Sequence, residues 1–269
     1  MTPKFGNITN PSILLVRDII TVSKLGFDYA EIAVEGPGAT TEIIMRNKSK
    51  VLSLLKKFDY NPIIHTPWWI ELGSEYEPVR RGWIEEGKEI IKVANILGAK
   101  LVNFHATSRG MYFKIKTGKE IVMDNMAKSL KELIKFAKEF DIEIMLENVP
   151  GEEGVSDVND YQFLMEEVKG LKLHLDVGHA FIKKGMQHIE DYIKMFSEKL
   201  VHVHVSDNHG KGDEHLPLGL GSINFKEVIK ALKKIEYDRT ITFEVFAENR
   251  IYAKKSMEYF KELWGQANF

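Results

Sequence analysis

Short apolar runs of five to seven residues alternate along the chain with longer stretches in which apolar positions recur every three or four residues. The runs predict strands over 4–8, 28–34, 62–66, 100–105, 142–148, 171–176, 200–205 and 240–246. The periodic stretches predict helices over 11–25, 41–58, 80–97, 120–139, 157–168, 187–197, 224–235 and 251–264, with Gly98 as a helix stop. No Pro/Gly/Ser-rich linker breaks the alternation, so residues 1–269 read as one domain. Eight strand-then-helix units in a row call for a parallel sheet, and closing that sheet leaves no exposed edge. The predicted fold class is therefore α/β, a single (β/α)8 TIM barrel with its active site at the C-terminal ends of the strands. An open doubly wound sheet is the rival, but no glycine-rich phosphate turn follows the first strand.

The strand ends carry the chemistry. His65, His105, Glu147, Asp176 and His204 close the third to seventh predicted strands, and Glu244 lies near the end of the eighth. His179 follows Asp176, while Asp213 and His215 lie in the loop after His204, within HVHVSDNHGKGDEHLPLG. Singly, each has a plain structural reading: a strand-end His satisfied by hydrogen bonds, or a Glu capping the next helix. Together they place nine donors on one rim, where carboxylates would repel unless cations neutralised them. The loop thus reads as a ligand shell. His174 and His202 share strand parity with Asp176 and His204, and are expected one layer deeper, as core or supporting residues. Glu35, after the second strand, has two readings, orienting substrate or capping a helix.

Composition narrows the class. Hydrophobic residues make up 44% and charged residues 28%, as in an ordinary folded globular protein. No cysteine is present, so a metal must be held by His, Asp and Glu. A formal charge of −2 argues against a broadly basic nucleic-acid binder. No apolar run is long enough to span a membrane, and MTPKFGNITN lacks the pattern of a secretory signal, so the expectation is a cytoplasmic protein without a membrane partner. Assembly into a homo-oligomer stays open.

The ordered motifs HTPWW, NFHATS, LENVPG, LDVGHAF, HVHVSDN, DEHLPLGLG and FEVF resemble those of the xylose isomerase-like barrel superfamily, which holds sugar (phosphate) isomerases and epimerases as well as endonuclease IV. The resemblance runs over nearly the whole chain. Its isomerase and epimerase branch implies one divalent ion, zinc, manganese, cobalt or magnesium, on Glu147, Asp176, His204 and Glu244. Glu147 and Glu244 then form an acid/base pair beside the carbonyl of a sugar or sugar phosphate, with His179 on a substrate oxygen. Trp68 or Trp69 would wall the sugar's apolar face, for which ordinary packing is the competing reading. Arg109, Lys114, Lys116 and Lys119 could hold a phosphate or form a solvated face. Epimerases of this type often carry an arginine six residues after the seventh-strand His; here Gly210 stands there, beside Lys211, the candidate substitute.

The endonuclease IV branch implies three zinc ions: one on His65, His105 and Glu147, one on Glu147, Asp176, His204 and Glu244, and one on His179, Asp213 and His215. Its partner would be abasic DNA, with Trp68 and Trp69 intruding into the duplex. LENVPGEEG and LDVGHAFIKKG depart from that branch, and EGPGATTE after the second strand has no basic residue. FDYAEIAVEGP and DEHLPLGLGSINF favour the sugar branch.

Overall fold

The computed structural model describes residues 2–108, 115–151 and 154–267. Eight strands, β1 (Lys4–Ile8), β2 (Tyr29–Ala33), β3 (Ile63–His65), β4 (Leu101–His105), β5 (Glu143–Glu147), β6 (Lys172–Asp176), β7 (Leu200–Val205) and β8 (Thr240–Phe243), pair in sequence order. Every pairing is parallel, and β8 pairs with β1 to close the barrel. Around it run α1 (Leu15–Val22), α2 (Thr41–Arg46), α3 (Lys48–Leu55), α4 (Glu77–Leu97), α5 (Lys116–Ala137), α6 (Val158–Glu167), α7 (Val177–Phe181), α8 (Met186–Met195), α9 (Phe225–Lys234) and α10 (Ile251–Gln266). The expected (β/α)8 barrel is the one observed. Among the described residues, no helix is long and apolar enough to cross a membrane.

Alternation along each strand builds two cores. One side chain in two points outward, and Ile32, Ile64, Val102, Phe104, Leu146, Leu175, Val203 and Phe243 belong to a continuous apolar layer with the helices. The inward set is mostly polar above a small apolar floor of Tyr29, Ile63, Met145 and Val201. Leu173 pairs with Leu200 and His174 with His202, so Val201 is the additional residue of a bulge between β6 and β7.

Three of the differences from the sequence expectation have a clear local reason. The stretch 41–58 is two helices, because Asn47 turns its side-chain amide onto the Ile43 carbonyl at 2.9 Å and leaves helical geometry. Helix α4 starts at Glu77 rather than 80, since Pro78 suits a first turn that needs no N–H from it. The short α7 is a further element, capped where Asp176 Oδ1 accepts from the His179 amide at 2.6 Å. Gly98 closes α4 with a left-handed φ of 78°, as expected.

Candidate metal centre and active site

The C-terminal strand ends and the loops after them gather all nine expected donors into three groups, two of which share Glu147. These are His65, His105 and Glu147; Glu147, Asp176, His204 and Glu244; and His179, Asp213 and His215. Within each group one ligand atom per residue lies within 4.8 Å of the others. Glu147, at the end of β5, belongs to two of them. Its Oε2 accepts from Asn103 Nδ2 at 2.5 Å and lies 3.1 Å from His105 Nε2 and 3.3 Å from His65 Nε2.

Several of these atoms are buried without a hydrogen-bond partner: Asp176 Oδ2, His65 Nε2 and His105 Nδ1. Such orphans are costly. Asp176 shows how the geometry arises, because its Oδ1 is spent on capping α7, leaving Oδ2 facing His204 Nδ1 at 3.9 Å. His179 is oriented in the same spirit. Its Nδ1 donates to the Asn148 carbonyl at 2.8 Å, which turns Nε2 towards Asp213 Oδ2 at 3.2 Å. His215 Nε2 reaches the same carboxylate oxygen at 2.8 Å. The donor set of imidazoles and carboxylates, with orphaned oxygens and nitrogens turned inward, fits divalent cations.

Electrostatics follow from crowding. Burial opposes ionisation of Glu147, but the imidazoles of His174 and His105 outweigh it and hold the carboxyl well below the usual range. Glu244 is likewise buried yet lowered by His215 and His204. Asp176 goes the other way, pushed up to about 6, because burial dominates over its neighbour His179. His215 is raised to about 9: burial works against its charge, but Glu244 and Asp213 more than offset it.

Seven of the nine donors, all but the fully buried Asp176 and His204, line a cavity of about 470 Å³, with Trp68, Pro150, Glu35 and Phe246 among its walls. Phe246 is exposed and its ring packs 4.2 Å from that of His215. Trp69 stands edge-on to Trp68 at 5.8 Å and Lys211 is exposed, and neither lines the cavity. Arg109 and Lys114 lie outside the described residues. Lys119 forms an ion pair with Asp160 at 2.6 Å on the helical shell.

Supporting residues were less visible in the sequence. Glu31, Asn103 and Asn148 occupy strand or strand-end positions beneath the donors, and nothing local distinguishes them from ordinary buried polar residues. Asp207 is another. It accepts amide hydrogens from Asn208, Gly219, Gly221 and Ile223 at 2.9–3.1 Å, pinning both ends of the loop that carries Asp213 and His215. A Cβ on Gly221 would lie 2.3 Å from Asp207 Oδ1, so the approach requires glycine. Asp207→Ala should destabilise the fold by about 3 kcal/mol by leaving buried amides unpaired. Amide exchange across 208–223 should quicken while the strands stay protected; unchanged exchange there would remove Asp207 as the anchor.

The Xylose isomerase-like TIM barrel family model matches residues 19–263. The chain belongs to that family. Within it, a crystal structure described as a D-tagatose 3-epimerase-like protein superposes with a TM-score of 0.87 at 27% identity, covering 98% of this chain and 97% of the other. Fructoselysine 3-epimerase of Escherichia coli O157:H7 is 24% identical over 256 residues, 90% of each chain. Probable endonuclease 4 of Aquifex aeolicus is 29% identical over 217 residues, 74% of each. Family membership therefore spans both chemistries that the donor arrangement accommodates.

Proposed function

We propose that the protein is a divalent-metal-dependent epimerase or isomerase of a small sugar, free or phosphorylated. The observation that carries this reading is the placement of two carboxylates, Glu147 at the end of β5 and Glu244 just after β8, both lining an aromatic-walled cavity and in one group with the buried Asp176 and His204. Likeness to epimerases over nine-tenths or more of the chain supports it. Glu147, Asp176, His204 and Glu244 would hold a zinc, manganese, cobalt or magnesium ion. Bound there, such an ion supplies Lewis-acid polarisation of a carbonyl and a neighbouring hydroxyl.

The chain's own residues do the rest. Glu147 and Glu244 come from strands separated by β6 and β7, so they meet a substrate from different sides. Each is held ionised by neighbouring imidazoles and is competent to accept a proton. One carboxylate takes the proton from the carbon beside the carbonyl, the C–H electron pair forms the carbon–carbon double bond, and the carbonyl π pair moves onto its oxygen to give an enediolate. The carboxylate on the other side first takes up a proton from solvent and then delivers it to that carbon or its neighbour, so the two side chains exchange protonation states in a turnover and solvent hydrogen enters the product. His179 lines the cavity and is set to contact a substrate oxygen, while Trp68 and Phe246 offer apolar walls.

The third group, His179, Asp213 and His215, favours a second reading, a three-cation phosphodiesterase acting on abasic DNA. Heavy water separates the two. Incubated with ketoses and aldoses and each of the four metals, the protein should place deuterium on the carbon beside the carbonyl. Cleavage of an abasic duplex at low salt, with no deuterium in any sugar, would replace the lead reading with the second.

A further inference from the structure

Beneath the metal-centre donors lies a buried carboxylate with no access to the cavity. Glu31, on β2, is fully buried and does not line the cavity. Its Oε2 sits 3.0 Å from His204 Nε2, 3.0 Å from His202 Nε2 and 2.6 Å from the donating Thr242 hydroxyl. Tyr29 braces that hydroxyl in turn, its own oxygen 2.9 Å from Thr242 Oγ1. On the opposite edge of the same imidazole, His204 Nδ1 faces Glu244 Oε2 at 2.8 Å and Asp176 Oδ2 at 3.9 Å.

We infer that Glu31 is a positioning residue that fixes which nitrogen of His204 faces the cation. The inference rests on the metal-centre reading above. A neutral imidazole carries one N–H and one lone pair, and an ionised carboxylate only accepts. Without a cation the ring faces a carboxylate on each edge; a cation among Asp176, Glu244 and His204 would take the Nδ1 lone pair, and the one remaining proton then sits on Nε2, against Glu31. The other tautomer would set the Nε2 lone pair against the carboxylate, and a flipped ring would put carbon Cε1 there in place of the donor. Neighbouring rings also hold its plane: His65 is stacked at 5.5 Å with 8° between planes, and His174 meets it edge-on at 4.0 Å. Glu31 thus reaches from β2 across the barrel to a ligand on β7, 173 residues later in the chain. Partners of this kind raise ligand basicity and fix orientation, and their loss typically weakens metal affinity about 10- to 100-fold.

The test uses zinc-loaded full-length protein titrated against a chromophoric chelator. Glu31→Gln keeps the shape, removes the charge and should weaken the tighter zinc site by about 10- to 100-fold. Glu31→Asp, which restores the charge, should recover part of that loss. A purely structural Glu31 would lower the thermal midpoint of the metal-free protein and leave zinc affinity unchanged, which would overturn the inference. Loss of one whole zinc equivalent from Glu31→Gln, with the remaining affinity intact, would make Glu31 itself a ligand and also overturn it. Long-range 1H–15N correlation on histidine-labelled, zinc-loaded wild-type protein needs no variant: His204 should carry its proton on Nε2, and a proton on Nδ1 contradicts the assignment. Wild-type protein that takes up no zinc would remove the metal centre and this inference together, whereas normal uptake with unchanged affinity in Glu31→Gln removes this inference alone.

Discussion

Glu147→Gln loses turnover by about 10³-fold or more while the barrel still folds. Acid/base groups contribute about 10²- to 10⁴-fold, and the same carboxylate is shared by two donor groups, so its neutralisation also weakens cation binding. Glutamine keeps the side-chain volume and retains an oxygen for Asn103 Nδ2, which meets Glu147 Oε2 at 2.5 Å. What it removes is the anion to which His65, His105 and His174 all turn, at 3.1–3.4 Å. The measurement is kcat on the best sugar found by deuterium exchange, with circular dichroism and metal content on the same sample. Turnover within tenfold of wild type, in a folded variant, would take Glu147 out of the chemistry.

Stripping the cations should abolish turnover entirely, and returning manganese, cobalt, magnesium or zinc should restore it. Uptake must also depend on pH, because cations bind deprotonated ligands and displace their protons. Asp176, pushed up from 3.8 to about 6 by burial, should be protonated in the metal-free protein below that pH, so uptake weakens as pH falls through 6. The sign for folding is the reverse. Between about 4 and 6 the metal-free folded chain keeps an Asp176 proton that the unfolded chain has lost, so Asp176's own contribution to the stability of the metal-free protein declines as pH rises through that window, against the opposite contribution of the lowered Glu147 and Glu244 near its acid end. Loaded protein should not show that decline. Calorimetric midpoints of stripped and loaded protein at pH 4, 5, 6 and 7 check both signs; a gap that stays constant with pH would show that no ligand proton is displaced. Full turnover after exhaustive chelation would leave the carboxylate pair working alone.

Much of this was legible in the sequence because a barrel obeys two simple periods. Strand alternation and helical spacing located each unit, and the direction of the parallel strands sent His65, His105, Glu147, Asp176 and His204 to one rim. Local reading ends where partners are chosen across the barrel. Glu31 in DYAEIAV is an alternating strand residue like any other, and its bond to His204 depends on how far β2 stands from β7 around a closed circle. Glu244 falls just past β8 rather than within it, since the ladder ends at Phe243 while the apolar run continues. Trp69 and Lys211 illustrate the opposite limit: position in a promising motif does not set which way a loop residue faces.

The anchoring of one loop by Asp207 gives the rim two kinds of support. Glu147, Asp176, His204 and Glu244 stand at strand ends, held by the barrel's own ladders, whereas Asp213 and His215 ride on a segment clipped at both ends by a single carboxylate. Residues 208–222 lie outside the ladders, so the segment can be exchanged with little strain on the strands where the Asp207 clip and the backbone bonds from Leu216 to Asp207 and from Phe246 to His215 survive. A lineage could add or discard the outer donor pair by editing that one cassette, and so move between single-ion and multi-ion chemistry without redesigning the scaffold beneath it.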